Sequence, residues 1–498
     1  MTNYTKKALT SAIMIFSISL AAAAFGYLVR IYFARNLSVE EFGLFYAVIS
    51  FLGLIGVLRG LGFDRALVTF ISKFHAKNEY VKIKTTILYS AAILFLTNLV
   101  SIILIFILAD FLGINYFHDS FASSILKLMA ISFFIDNFTY IIKFCFQGFQ
   151  KMGLFSSIDF VRMVIIFVIS FIGFELGLKL MSPVLAYILT PILLLLIYCT
   201  IFIWKVFPRF SKIKFKKDKK LFWGMIHYSY HLILITTIGT SFRYTDSVIL
   251  TYFKGVRDVG IYNAVLPTAM LLWYLPMALN NVVWPMTSEF INKGKLKELK
   301  DGIGLLYKYS LIVMLPLALL IFVFSGTILE LLYGPEYGAG KLALQILIFG
   351  MVLFAFYAIN VGVFYGMGKP QINTITILIG SALSVILNII LIPDYGIAGA
   401  AFAASISYIP MVLIGLYHLK REKLLSIPYT GWLKTLIASI IFLLVVYFLN
   451  MNLSLNIYLK IPLIFLISGI VYFVLIFAFR IVTLDEIKEL VGRVKVGK

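Results

Sequence analysis

FARNLSVEEFGLFYAV, residues 33–48, returns 217 positions later as LTYFKGVRDVGIYNAV, residues 250–265. Val39/Val256, Gly43/Gly260, Ala47/Ala264 and Val48/Val265 are identical, and Glu41/Asp258, Leu44/Ile261 and Phe45/Tyr262 are close substitutions. A second match, at an offset of 218, pairs the five residues from Gln147 to Lys151 with those from Tyr365 to Lys369. Two matches at nearly one offset mark an internal duplication.

The surroundings of the repeat decide what is duplicated. Of 498 residues, 62% are hydrophobic and 13% charged, and the mean hydropathy is +1.01. A soluble domain is nearer 45–50% apolar and about 25% charged. A chain this apolar would aggregate in water, whereas lipid accepts such a surface. Fourteen apolar stretches are long enough for the roughly 20 residues that a bilayer crossing needs. They run at 8–29, 42–63, 85–110, 124–145, 154–176, 183–204, 222–250, 260–284, 304–325, 342–366, 372–393, 398–419, 430–449 and 459–480. They lack the alternation of an outer-membrane barrel, so the expected class is all-α and integral to the membrane. The first stretch follows Lys6 and Lys7 and carries Ala21–Ala24, as a secretory signal would, but it continues through Val29 and is expected to stay in the fold.

An even number of spans separates the copies, so they point the same way. This predicts two six-helix halves related by an axis along the membrane normal, the plan of parallel-repeat transporters, with the substrate site between the halves. The expected divisions are 1–212, 213–423 and an added helix pair with a tail at 424–498.

A net charge of +21 could suggest nucleic acid, but the positions argue otherwise. With the N-terminus inside, inner loops and tails hold 30 Lys and Arg and outer loops seven. That bias predicts both termini in the cytoplasm and no nucleic-acid partner. The run Lys212–Lys220 carries six lysines between the halves and reads as a topology anchor on anionic lipid. Cys145 and Cys199 lie inside spans and offer no disulfide framework.

Motifs for chemistry are weak. Gly334–Leu342 imitates a phosphate loop, but its glycine spacing is one residue too long and Leu342 stands where Ser or Thr must reach magnesium. His227 and His231 share a helical face without a third ligand nearby, so no metal or cofactor is expected. Transport would then draw on an ion gradient, the substrate's gradient or the membrane potential.

Charges within the spans say more, because an ionisable side chain at membrane depth is costly and faces a polar interior. Arg59, Asp64, Lys143, Asp159 and Arg162 lie toward the inner ends of their spans, where snorkelling or local pairing suffices. Arg243 and Asp246 lie deeper, three apart on span seven, either as a self-satisfied pair or lining a cavity. Asp136 is similarly deep in span four, and Arg30 stands near the end of span one, the repeat partner of span seven. Guanidinium matches phosphate oxygens bidentately. Arg243, Asp246, Arg30 and Arg59 are therefore the expected substrate contacts, and Asp136 and Asp246 the candidates for ion coupling.

The segment ARNLSVEEFGLF at 34–45 resembles the turn after the first span of the polysaccharide-biosynthesis flippases, the Wzx type. So do RGLGFDRALVTFISKF at 59–74, TDSVILTYFKGVRDVGIYNAV at 245–265 and YGIAGAAFAASIS at 395–407. The resemblance runs over nearly the whole chain, but in structural turns, so it speaks to family more than to substrate. It implies a member of the multidrug/oligosaccharidyl-lipid/polysaccharide exporter superfamily. Such proteins flip polyprenyl-diphosphate-linked sugars between leaflets. The runner-up is a multidrug exporter of the same superfamily, which would bind organic cations through acids in its N-terminal half. Span one has no Asp or Glu, though Asp136 keeps this reading open. A glycan polymerase or ligase would carry a long outer loop, and the outer loops here are short.

Overall fold

In the computed structural model, which describes residues 3–56, 60–483 and 486, the apolar stretches become helices, and no strand forms among the described residues. In order these are α1 (Asn3–Asn36), α2 (Val39–Ile55), α3 (Phe63–Ala76), α4 (Tyr80–Asn115), α5 (Ser120–Gly148), α6 (Met152–Glu175) and α7 (Met181–Ile201). There follow α8 (Lys219–Lys254), α9 (Val256–Ala269), α10 (Tyr274–Asn292), α11 (Leu296–Val323), α12 (Ser325–Tyr333), α13 (Lys341–Gly366), α14 (Pro370–Arg421), α15 (Tyr429–Asn452) and α16 (Ile457–Ala478). Ten helical segments among the described residues are long and apolar enough to cross a membrane.

Lipid rather than a core accounts for much of the apolar surface. On α4, Leu96, Val100, Ile103, Ile107, Phe111 and Ile114 are all exposed. Their spacing of three and four makes one continuous stripe. In water such a stripe would have to be buried; against acyl chains it is the stable face. With backbone hydrogen bonds closed inside each helix, the chain meets the condition for spanning a bilayer.

Local chemistry sets the helix ends. Ser38 caps α2 by accepting from the Glu41 N–H at 3.1 Å, while the Glu41 carboxylate accepts from the Ser38 N–H at 3.1 Å. This capping box fixes the turn that the repeat begins with. Asp218 caps α8 through the Leu221 N–H at 2.9 Å. Of the stretch expected at 42–63, α2 holds the residues as far as Ile55, and Gly62, at φ 73, stands before α3. α14 covers two expected spans, 372–393 and 398–419, in 52 residues. At 1.5 Å per residue that is about 78 Å, more than twice a bilayer core. Gly396, at φ 52 and ψ −129, breaks it into two arms.

The chain forms two compact units. One holds the residues up to Pro267 together with Glu330–Gly340 and Ser381–Ala400; the other holds Thr268–Leu329, Lys341–Gly380 and the residues from Ala401 onward. The first unit packs Phe146, Phe149, Tyr198, Phe202 and Phe207 with Leu67, Ile71 and Ile83. Lys84 Nζ donates to the carbonyls of Phe210 and Ile213, each at 2.7 Å, which anchors the start of the lysine run. The second unit centres on Tyr307, Ile303, Ile359, Val363 and Phe364. There the Tyr307 hydroxyl donates to the Asn360 side chain, and Tyr472 donates to the Ile312 carbonyl at 2.9 Å.

Within the first unit the two repeat copies touch. A methyl group on Gly43 would collide with the carbonyl oxygen of Val256, and one on Gly260 would collide with that of Val39. Residue 43 faces 256 while 260 faces 39, and each pair is the other shifted by 217. Such reciprocity is the mark of a two-fold axis. The glycines are therefore kept by a close backbone approach between α2 and α9 at the axis.

Candidate functional site

Around this axis four helix segments, α1, α2, α8 and α9, bring polar groups into apolar surroundings. Arg30 reaches from α1 onto both repeat copies. Its Nη1 donates to the Asn263 carbonyl at 2.8 Å, and its guanidinium lies 4.1 Å from the centroid of the Tyr46 ring. Tyr46 and Asn263 are repeat-equivalent positions. Asn263 is held in turn by its Nδ2, which donates to the Val259 carbonyl at 3.0 Å and to Ser247 Oγ at 3.3 Å. A cation–π contact and one carbonyl leave the remaining guanidinium donors of Arg30 for other acceptors.

Asp246 is 7% exposed. Its Oδ2 accepts from the Tyr262 hydroxyl at 2.9 Å and its Oδ1 from Asn388 Nδ2 at 2.7 Å. Asn388 comes from the part of α14 that belongs to this unit, and its own Oδ1 has no hydrogen-bond partner. A carboxylate beside an unpaired amide oxygen concentrates negative charge in a buried place, an arrangement that a cation or proton would complete.

Arg243 separates from Asp246. The spacing of three made an ion pair conceivable, but no such pair forms. Arg243 is exposed and has no ion pair or hydrogen bond with any described residue. Periodicity puts the two on neighbouring positions of α8, and the neighbours of α8 then take one and leave the other. Arg59 lies outside the described residues.

Asp136 on α5 is bound to Arg162 Nη2 on α6 at 2.7 Å, with side chains only 13% and 23% exposed. Lys143 Nζ contacts both oxygens of Asp159 at 2.7 Å. Three of the five inner-end charges, Lys143, Asp159 and Arg162, thus find local partners. Asp64 differs: it is buried, 3.9 Å from Arg65, and its Oδ1 has no partner.

Near the start of α2, Arg257 bridges Glu40 and Glu336, the latter at 2.7 Å. Arg35 Nε donates to the Leu332 carbonyl at 2.9 Å and its Nη2 to that of Leu331. The phosphate-loop imitation falls on a short 3-10 helix, Pro335–Gly340, whose Tyr337 ring meets Phe42 edge-on at 5.8 Å. It is a packing corner. No group of three or more His, Cys, Asp or Glu among the described residues could hold a metal.

Sequence reasoning missed Tyr262, Asn388, Tyr46 and Asn263. Asn388 was open to detection as an amide in the middle of the apolar run 372–393. The others are repeat positions whose chemistry differs between copies.

Comparison with known proteins bears on family and fold. The model of the family described as polysaccharide biosynthesis protein matches residues 8–291, and the MatE model matches 232–390. An uncharacterized membrane protein of Methanocaldococcus jannaschii is 30% identical over 95% of this chain and 96% of its own. A probable low-salt glycan biosynthesis flippase, Agl15 of Haloferax volcanii, is 22% identical over 85% and 86%. Among solved structures, the lipid II flippase MurJ in an inward closed conformation has a TM-score of 0.76 at 19% identity, covering 92% of this chain and 97% of that one. At that identity the likeness establishes the fold.

Proposed function

This chain belongs to the polysaccharide biosynthesis protein family, a transporter group of the multidrug/oligosaccharidyl-lipid/polysaccharide exporter superfamily, and from that premise we propose that it flips a polyprenyl-diphosphate-linked oligosaccharide from the inner to the outer leaflet. The observation that carries this reading is Arg243. A guanidinium about two-thirds of the way along α8, exposed and without a partner among the described residues, is expensive in a membrane protein unless a ligand or water meets it. A diphosphate supplies paired oxygens for its planar fork. Arg30 adds a second cation on the partner helix of the repeat. Arg59 remains a candidate by sequence alone.

Asp246 suits ion coupling better than substrate contact, because Tyr262 and Asn388 already occupy both carboxylate oxygens. Asp136 is tied to Arg162 and suits structure better than coupling. The two repeat halves, 1–212 and 213–423, would alternate access, with both termini in the cytoplasm, the chain in the plasma membrane and the run Lys212–Lys220 on anionic lipid. No catalytic step is assigned to the chain.

Purified protein in proteoliposomes is expected to flip a polyprenyl-diphosphate-linked glycan without ATP. Charge-assisted hydrogen bonds contribute about 1.5–3 kcal/mol, so Arg243→Ala should slow flipping by roughly 10–150-fold at unchanged expression. Arg243→Lys, which keeps charge but loses the fork, should fall between. Unchanged flipping by Arg243→Ala would sink the site assignment; strict dependence on ATP hydrolysis would sink the transporter mechanism. A cation-coupled multidrug exporter is the second reading, favoured by the MatE match at 232–390 and the buried Asp246. Uptake of an organic cation but no lipid-linked glycan would establish it.

A further inference from the structure

The segment Glu330–Gly340 belongs to the first unit, where it reaches both copies of the repeat. It is folded on itself. Gly334, at φ 126, turns the chain out of α12, a conformation that suits glycine. Its N–H donates to the Glu330 carbonyl at 3.0 Å, and the Tyr337 N–H donates to the Gly334 carbonyl at 3.1 Å. Gly338 leaves room for the Glu330 carboxylate. Bonded within itself in this way, the segment can move as one piece.

Its ties run to each copy. On the side of the first copy, Arg35 donates to the carbonyls of Leu331 and Leu332 at the end of α12. The Tyr337 ring meets Phe42 of α2 edge-on at 5.8 Å, and the Tyr333 ring meets Tyr27 edge-on at 6.3 Å. On the side of the second copy, Arg257 at the start of α9 contacts Glu336 with Nη2 at 2.7 Å and Glu40 of α2 with Nη1. One guanidinium therefore ties α2, α9 and the segment together. Parting α2 from α9 at this end pulls Glu40 off Arg257 or Phe42 off Tyr337.

The hold is opposed by one atom. Tyr333 and Tyr337 are 1% and 2% exposed, so their buried rings supply most of the grip. The ion pairs are half-exposed and weak. Against the rings stands the Tyr337 hydroxyl, whose oxygen is buried with no hydrogen-bond partner among the described residues. A dry polar group without a partner is costly, and water meets it as soon as the segment lifts. Phenylalanine would serve a permanent packing corner better. The hydroxyl penalises the seated state alone.

We propose that Glu330–Gly340 is a strap that fastens the end where the two repeat copies meet and must lift before α2 and α9 part, with the dry Tyr337 hydroxyl setting how readily it lifts. The inference takes transport from the flippase reading above.

The test uses the full chain in nanodiscs. With Cys145 and Cys199 replaced by alanine, Ala47→Cys, at a fully buried position of α2, reports opening through its rate of reaction with a maleimide. Tyr337→Phe keeps the ring and removes the unpaired oxygen, so it should slow the reaction by about fivefold or more. Glu336→Gln loses the ion pair and should speed the reaction by up to about fivefold. A segment that only packs would leave both rates at the parent value, and that result overturns the strap. So does a faster reaction in Tyr337→Phe. The lock is read in proteoliposomes loaded with a polyprenyl-diphosphate-linked glycan. Glu40→Cys with Glu336→Cys, in the same cysteine-free background, is bridged by a short bis-methanethiosulfonate. Bridging should stop flipping, and reduction should restore it. Flipping by the bridged chain at the unbridged rate overturns the strap alone. Absence of flipping before bridging defeats the flippase reading alone, and the maleimide rates then decide the strap.

Discussion

Replacing Gly43 by alanine tests whether the contact between the repeat copies must part during transport. A methyl group there would overlap the Val256 carbonyl oxygen and lie 2.8 Å from the carbonyl carbon and 2.9 Å from the Gly260 nitrogen. All three are backbone atoms, so no side-chain rotation relieves the clash, and α2 and α9 must separate. Overpacking of this kind costs about 1–3 kcal/mol. The neighbouring ion pairs are weaker. Arg257, Glu40 and Glu336 have side chains 51%, 49% and 57% exposed, and exposed pairs contribute roughly 0.2–1 kcal/mol each. The helix contact therefore dominates closure at this end. If closure is one state of a two-state transporter, Gly43→Ala shifts the population toward the open state by about 5–150-fold. Ala47, fully buried one turn further along α2, reports the change. With Cys145 and Cys199 replaced by alanine, an Ala47→Cys chain should react slowly with an impermeant maleimide. Adding Gly43→Ala should raise the rate by about fivefold or more, and Arg257→Ala should raise it less. Equal rates in Gly43→Ala and its parent, at equal melting temperature, would refute the reasoning.

Three further outcomes follow from the charges at depth. Arg162→Ala removes the guanidinium that binds Asp136 and should cost about 1–3 kcal/mol, seen as a lower melting temperature; adding Asp136→Ala should restore transport if the pair is structural, and failure to restore transport would return Asp136 to a coupling role. Asp246→Asn keeps the shape that Tyr262 and Asn388 grip, so it should fold and flip down a substrate gradient but lose any response to an imposed sodium or proton gradient; a retained response would clear Asp246 of coupling. Single cysteines at Lys216 and Asp258 should label from opposite sides of intact cells, 258 from outside, and the reverse pattern would invert the topology.

The fold was legible because its key contact is written in the repeat. Val39/Val256 and Gly43/Gly260 match between the copies because they meet one another at the axis, where backbone approach tolerates no other side chain at 43 and 260. Hydropathy blurred the rest: a window over 42–63 cannot see that α2 stops at Ile55 and that Gly62 opens the next helix. At the site, the depth of Asp246 could be read, but its partner Asn388 is 142 residues away and no local pattern links them. The spacing of Arg243 and Asp246 gave a shared face without saying which neighbour would fill it. Asp64 looked like an ordinary inner-end charge, because nothing in its local sequence shows that it is buried with an oxygen left without a donor.

Gly396 has a mechanical consequence. The two arms of α14 meet at one residue with no loop between them, and a side chain on Gly396 would press on Asp258 Oδ2, only 3.1 Å from its Cβ position. A connecting loop normally lets each span choose its own height in the lipid. Here there is no slack, so the arms share one height at the corner. When the hydrocarbon layer thins, a lone helix relieves mismatch by tilting at a cost of fractions of a kcal/mol per Å; these two arms must move as a couple. Bilayer thickness should therefore act on this corner as a lever with two arms, and this transporter should be more sensitive to acyl-chain length than its short inter-helix connections alone would suggest.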